Sequence, residues 1–275
     1  GLVNDEINAL LRDREGDLWI GTQGGLIRFD GESFVNYTTR DGLVDVQVYD
    51  LLLDHRGQIW VNTQGGLSRF DGHQFTNLSA LPGLHESVQA LLEDRQGRMW
   101  ISALEKLWRF DGKRLIPFDE PLGTGNVGAL FEDSGGGLWV EVDEGLILVN
   151  DVDRPRRRLK LKQGERVQAV TEDRQGRMWI ATVESGSAAS ASSRLFRYDG
   201  QKLTDFSDVV DLATVRSLLE DREGNVWIGT SSRLVRYDAG DVTQFDGRHG
   251  VPGDISSLAE DRSGNLWIGT DAGLV

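Results

Sequence analysis

The chain has 275 residues, 39% hydrophobic and 27% charged, an ordinary globular composition with enough apolar side chains to enclose a large core. Its net charge of −14 argues against a nucleic-acid backbone or an anionic membrane surface as partner, since both demand a basic face. No run of 18 apolar residues is present to insert into a bilayer, and the absence of Cys excludes disulfides and thiolate chemistry.

Taken in order, the chain opens on Gly1 in the middle of a repeat, without a signal-like apolar stretch, and so reads as a segment of something longer. Residues 6–13 (EINALLRD) and 18–22 (LWIGT) are short β-rich runs joined by a Gly-containing turn, which is a hairpin signal. GLIRFD follows, and after the turn pair Asp30-Gly31 comes SFVNYT. The unit is therefore four strands, A to D.

Unit two repeats this as VYDLLLD, IWVNT, GLSRFDG and QFTNL, and unit three as VQALLED, MWISA, LWRFDG and RLIPF. Unit four keeps ALFED and LWVEV but has Leu148, Val149 and Asn150 where the others carry Arg, an aromatic and Asp. Its basic run, residues 154–162, is read as decoration of one outer strand. Unit five holds a Ser/Ala-rich insertion over residues 184–193, expected to be a mobile loop. Unit six returns to the pattern, and unit seven stops inside strand C at Val275.

One frame, Asp-x-x-Gly-x-x-Trp, runs through all seven units. It stands at Asp13, Gly16 and Trp19; at Asp54, Gly57 and Trp60; at Asp94, Gly97 and Trp100; and at Asp133, Gly136 and Trp139. It recurs at Asp173, Gly176 and Trp179; at Asp221, Gly224 and Trp227; and at Asp261, Gly264 and Trp267. Successive Trp residues of the frame lie 41, 40, 39, 40, 48 and 40 positions apart, and a period of about 40 to 45 residues marks propellers or arrays. Four strands of about six residues and four loops of about four fill that period and leave no room for a helix. The expected fold is all-β: one seven-bladed β-propeller of four-stranded antiparallel blades, the last blade incomplete. The units span about residues 1–41, 42–82, 83–122, 123–162, 163–209, 210–249 and 250–275. Because the frame recurs in every blade it marks scaffold: Asp for turn amides, Gly for positive φ, Trp to open strand B and pack between blades. The open edge of the last blade is a place for self-association.

The units resemble the two-component regulator propeller repeat. The resemblance is carried by Leu92, Glu93 and Asp94, by the run from Gly264 to Thr270 (GNLWIGT), by Gly66 and Leu67, and by Arg69, Phe70, Asp71 and Gly72; it covers the whole chain. It departs at strand C of unit four, at the insertion in unit five, and at Lys106, Arg194 and Arg233, where the repeat has Gly. The resemblance implies a ligand-binding sensor module of a bacterial two-component or related membrane signalling protein, on the periplasmic or extracellular side, in a longer parent chain with downstream signalling domains. It also implies a glycan or its breakdown product as a ligand class. A protein-interaction scaffold and, less so, a propeller lyase or glycosidase are the alternatives, because fold alone does not set function.

Scaffold positions repeat, so positions that vary between blades are the candidates for a ligand. After the first buried aliphatic of strand A the residues are Asn8, Tyr49, Gln89, Gly128, Gln168, Arg216 and Ser256, a mixed ring with hydrogen-bonding capacity. The next column, Ala9, Asp50, Ala90, Ala129, Ala169, Ser217 and Ser257, is almost uniformly small, as close approach near an axis requires. The loops from B to C add Glu105, Asp143 and Arg233, with Glu144 beside them. The candidate binding set is Asn8, Tyr49, Gln89, Gln168, Arg216, Glu105, Asp143 and Arg233, for an unknown small molecule or oligosaccharide. No catalytic set is expected, since no Ser sits in a GxSxG elbow and acidic residues are too numerous for any pair to be diagnostic. No metal or cofactor is expected either: His55, His73, His85 and His249 lie in separate turns without ligand spacing.

Overall fold

The structure is a computed structural model that describes residues 4, 6–82, 84, 88–103, 105–118, 122, 126–143, 145–149, 157–162, 164–184, 193–209, 214–251, 253–261 and 263–275. Glu144 and most of the Ser/Ala insertion lie outside the described residues. Seven antiparallel sheets form a ring, six of four strands and a seventh of three. In blade one, strands A to D are Ile7–Arg12, Leu18–Thr22, Gly25–Phe29 and Phe34–Tyr37. The other A strands, in order, are Val48–Leu53, Val88–Glu93, Val127–Glu132, Glu165–Glu172, Val215–Glu220 and Ile255–Glu260. Each A strand packs beside the next, and strand A of blade seven returns to strand A of blade one. Blade seven ends on a two-residue strand C, Gly273–Leu274.

The Asp-x-x-Gly-x-x-Trp frame builds every A-to-B hairpin by one set of bonds. One carboxylate oxygen of Asp accepts turn amides, as Asp54 Oδ1 does from the N–H of Arg56 and Gln58 at 2.9 and 2.8 Å. The other oxygen accepts the indole N–H of the frame's own Trp, at 2.6 to 3.1 Å in all seven blades. The Gly between them takes a left-handed φ, which explains the residue choice. That angle is 104° at Gly16, 79° at Gly57, 73° at Gly97, 80° at Gly136, 72° at Gly176, 92° at Gly224 and 88° at Gly264. Trp19, Trp60, Trp100, Trp139, Trp179, Trp227 and Trp267 do not open strand B but are its second residue, because Leu18 and its counterparts already pair with strand A.

Each indole is a wedge driven into the following blade. Trp19 packs with Val48, Leu51 and Val61 of blade two, and Trp60 with Val88, Leu91, Met99, Ile101 and Phe110 of blade three. Trp100 meets Val127, Leu138 and Val140 of blade four, and Trp139 meets Val167, Met178 and Ile180 of blade five. Trp179 lies against Val215, Val226 and Ile228 of blade six, and Trp227 against Ile255 and Ile268 of blade seven. The first five indoles are buried, whereas Trp227 and Trp267 are half-buried.

The Arg of Arg-Phe-Asp-Gly lies over the indole of its own blade, at 5.6 Å from ring centre for Arg69 on Trp60 and for Arg197 on Trp179. The Glu of Leu-Glu-Asp has a different partner. Glu93, Glu132, Glu172, Glu220 and Glu260 each accept the backbone N–H that follows the frame Asp of the preceding blade, at 2.5 to 3.0 Å. Blade closure follows the same rule of packing. The two ends of the chain meet as neighbouring sheets, Ile7, Leu18, Ile20 and Ile27 of blade one against Trp267 and Leu274 of blade seven. No strand from one end is hydrogen-bonded into the sheet of the other among the described residues.

Candidate functional site: an axial cavity

Strand A carries an irregularity in every blade. Pairing with strand B skips one residue between Ile7 and Ala9, Val48 and Asp50, Val88 and Ala90, Val167 and Ala169, Val215 and Ser217, and Ile255 and Ser257, and two between Val127 and Leu130. The skipped residues are Asn8, Tyr49, Gln89, Gln168, Arg216, Ser256 and, in blade four, Gly128 with Ala129. A β-bulge turns its extra side chain away from the sheet's regular alternation. Here it turns the variable column of the sequence toward the axis.

What those side chains do there divides them. Some close the ring: Asn8 Nδ2 donates to the Val48 carbonyl at 2.8 Å, and Ser256 Oγ donates to the Ile7 carbonyl. At other joints the tie comes from elsewhere. Asn62 Nδ2 donates to Val88 O at 3.1 Å, Ser102 Oγ to Gly128 O at 2.7 Å, and Val215 N–H donates to Ser193 Oγ at 2.8 Å. Arg216 pairs through Nε with Asp254 of blade seven at 2.7 Å. Glu141, 4% exposed in strand B of blade four, accepts Ala129 N–H at 2.9 Å within its own blade and Val167 N–H of blade five at 2.6 Å. Burial pushes the Glu141 carboxyl above its usual range, against the pull of these two amides. Gly128 makes room for it, since a Cβ there would stand 2.0 Å from Glu141 Oε2.

The remaining bulge residues line a cavity of about 670 Å³ on the ring axis, at the end of the A strands where the D-to-A connections enter. Tyr49, Gln89, Gln168 and Arg216 are among its walls, so four of the eight candidate residues come together. Asn8 is spent on the joint to blade two. Glu105, Asp143 and Arg233 sit in B-to-C turns and do not line the cavity; Asp143 instead accepts Asn126 N–H at 3.2 Å, and Arg233 donates to Gln244 at 2.7 Å. Asp50, Glu141 and Arg166 are wall residues absent from the candidate set. Asp50 had a visible signal, as the one acid in a column otherwise Ala or Ser. Glu141 had a fainter one, as the acid opposite the bulge where other blades have Gly21, Asn62, Ser102, Ala181, Gly229 and Gly269. Among the described residues, no cluster of three His, Cys, Asp or Glu is placed to hold a metal, and no His lines the cavity.

The frame residues stand apart from this site. None of the seven Asp-x-x-Gly-x-x-Trp sets contributes to the cavity wall, because the A-to-B hairpin lies at the opposite end of strand A from the bulge. Asp13, Asp133, Asp221 and Asp261 each spend their carboxylate on their own turn and indole, as Asp54 does.

Asp50 is exposed to the cavity, yet protein surrounds it, and that enclosure raises its pKa to about 6 against the hydrogen bond from Leu51 N–H. A carboxyl with a raised folded pKa holds its proton longer folded than unfolded, so stability falls as pH climbs from about 4 to about 6. Asp50→Asn removes that loss. The variant is expected to melt above the wild type near pH 7.5 and level with it near pH 4, by about 1 kcal/mol after allowance for cavity water. An equal gap at both pH values, read by calorimetry, would contradict the assignment.

The geometry defines a seven-bladed β-propeller with an axial polar cavity. Five stretches, residues 1–24, 82–104, 161–184, 211–232 and 250–272, match the family model described as Two component regulator propeller. Those five stretches are similar to two component regulator propeller repeats. No curated protein matches it in sequence. Among solved structures it is similar to the extracellular domain assigned to a hybrid two component system of B. thetaiotaomicron, with 19% identity and a TM-score of 0.79. That likeness covers 100% of this chain and 40% of the other, so this chain spans less than half its length. A catalytically inactive virginiamycin B lyase from Staphylococcus aureus, solved with quinupristin, gives 12% identity and a TM-score of 0.77 over 99% and 95% of the two chains. PorZ, a surface component of the type-IX secretion system of Porphyromonas gingivalis, gives 18% identity and 0.73 over 100% and 46%. At these identities the likeness is one of fold.

Proposed function

We propose that this propeller is a ligand-binding sensor module of a bacterial two-component or related membrane signalling protein, and that its ligand occupies the axial cavity. The observation that carries the reading is the division of labour among repeated positions. Frame residues are constant around the ring and hold it together, while the bulge residues at the cavity differ from blade to blade, which is what recognition of one asymmetric molecule requires. The cavity volume lies in the range of small-molecule sites, about 300 to 1,000 Å³. The family supports a place outside the cytoplasm, within a longer chain whose downstream domains carry the signal. A glycan or its breakdown product is the first ligand class to test, because the walls offer amide, phenol, carboxylate and guanidinium groups to hydroxyls. Binding would act by population shift, favouring one docking of the module on its neighbours.

A thermal-shift screen against oligosaccharides and small metabolites tests this. A ligand at 100 times its dissociation constant adds about 2.7 kcal/mol, a rise of several degrees for a protein of this size. The rise should vanish in Tyr49→Ala, whose half-exposed side chain bears on the cavity. Silence across the panel, or a hit that Tyr49→Ala leaves intact, would turn the reading toward a protein-interaction scaffold.

A further inference from the structure

Resting on the sensor reading above, we infer that the axial cavity takes a zwitterionic sugar-sized ligand, its ammonium held at Asp50 and its carboxylate at Arg166. The inference comes from two charged groups that form no ion pair among the described residues. Asp50 of blade two accepts one hydrogen bond, from Leu51 N–H at 2.8 Å, and forms no ion pair among the described residues. Arg166 of blade five, half-buried in the same wall, donates no hydrogen bond among the described residues. The acid whose charge it feels is Glu141, and both oxygens of Glu141 are already taken by backbone amides. Arg216 differs, being closed by Asp254 at 2.7 Å.

Asp50 and Arg166 stand on non-adjacent blades, with blades three and four between them, so neither serves as the other's partner. The cavity therefore has two poles. A neutral guest would take water from both and return nothing, and a singly charged guest would leave one unpaired, each at a cost that a zwitterion avoids. Hydrogen-bonding groups suit a hydroxylated body: the amides of Gln89 and Gln168 and the phenol of Tyr49 share the wall.

Four hexose probes of one scaffold separate the possibilities by titration calorimetry: glucose, glucosamine, glucuronate and muramic acid, which carries both charges. Muramic acid is expected to bind at least about tenfold more tightly than any of the other three, as one further charge-assisted pair supports. Asp50→Asn should bring its affinity down to that of glucuronate, and Arg166→Gln down to that of glucosamine. Both variants are to be confirmed folded by their melting curves, and the ranking on the wild type stands without them. The inference is overturned if any other probe equals muramic acid, if neither substitution changes its affinity, or if none of the four binds. Equal binding of glucose would discard the charge assignment and leave the sensor reading in place. Failure of all four beside a positive oligosaccharide screen would do the same; failure of both would discard both.

Discussion

Replacing Trp179 with alanine will destabilise the ring by about 3 to 5 kcal/mol, the range for a large aromatic removed from a packed interior. Trp179 is wholly buried. Its ring meets Phe206 and Tyr237 at 5.1 Å each and lies against Val215, Val226 and Ile228 of the next blade. The surrounding strands are held by their ladders and by Val215 N–H on Ser193, so they have little freedom to collapse into the space left behind. Trp267 provides the comparison within the same molecule. It holds the same frame position but is partly exposed at the joint between blades seven and one, where a cavity of about 180 Å³ already lies beside it. Alanine there should cost less, by about half. Equilibrium denaturation of the two variants decides the matter, and equal losses would mean that the indole does not act as a wedge between blades.

The second large effect is expected at Asp173, where alanine should cost about 2 to 4 kcal/mol by orphaning buried donors. One carboxylate oxygen accepts the amides of Gln175 and Arg177 at 3.1 and 3.0 Å, and the other accepts Trp179 Nε1 at 2.9 Å and Arg177 Nε at 2.6 Å. Asp173→Asn keeps the shape and one acceptor but turns an N–H₂ toward other donors, so it should lose nearly as much. If Asp173 acts through Trp179, the double substitution will cost less than the sum of the two by about 1 kcal/mol or more. Strict additivity would show that the turn amides alone matter.

The same residue sets an acid limit. Desolvation pushes the Asp173 carboxyl up, but its hydrogen bonds outweigh that and hold it below the usual range, as they do at Asp94. A depressed folded pKa contributes stability that is present above the unfolded value, about 3.9, and is lost as pH falls through the folded one. Wild type should therefore lose stability on acidification in a step that Asp173→Asn lacks. Asp50 works in the opposite direction, so the two acids bracket a stability maximum.

The scaffold was legible before any coordinate because it is periodic. Asp, Gly and Trp at offsets of three and six appear in every unit, and a period near 40 residues has room for four strands and no helix. The indole's hydrogen bond to its own Asp and the reach of Glu93 to the preceding blade were not legible, since each depends on how a turn folds back or on which blade lies next to it. The bulge column was readable as variation, and half of the candidates drawn from the sequence do meet at the cavity. Of the rest, Asn8 is spent on the joint to blade two, and Glu105, Asp143 and Arg233 sit in B-to-C turns that do not line the cavity.

Sequence alone, then, established the number of blades, their strands and the residues that wedge them together, for these follow from local turn chemistry repeated along the chain. Which polar side chains are consumed at the joints, as Asn8 and Glu141 are, and which line the cavity with no ion pair among the described residues, as Asp50 and Arg166 do, was settled by closure of the ring. Joint partners come from a neighbouring blade 26 to 40 positions away, or 249 at the closing joint of Ser256 with Ile7, and only closure brings them into contact.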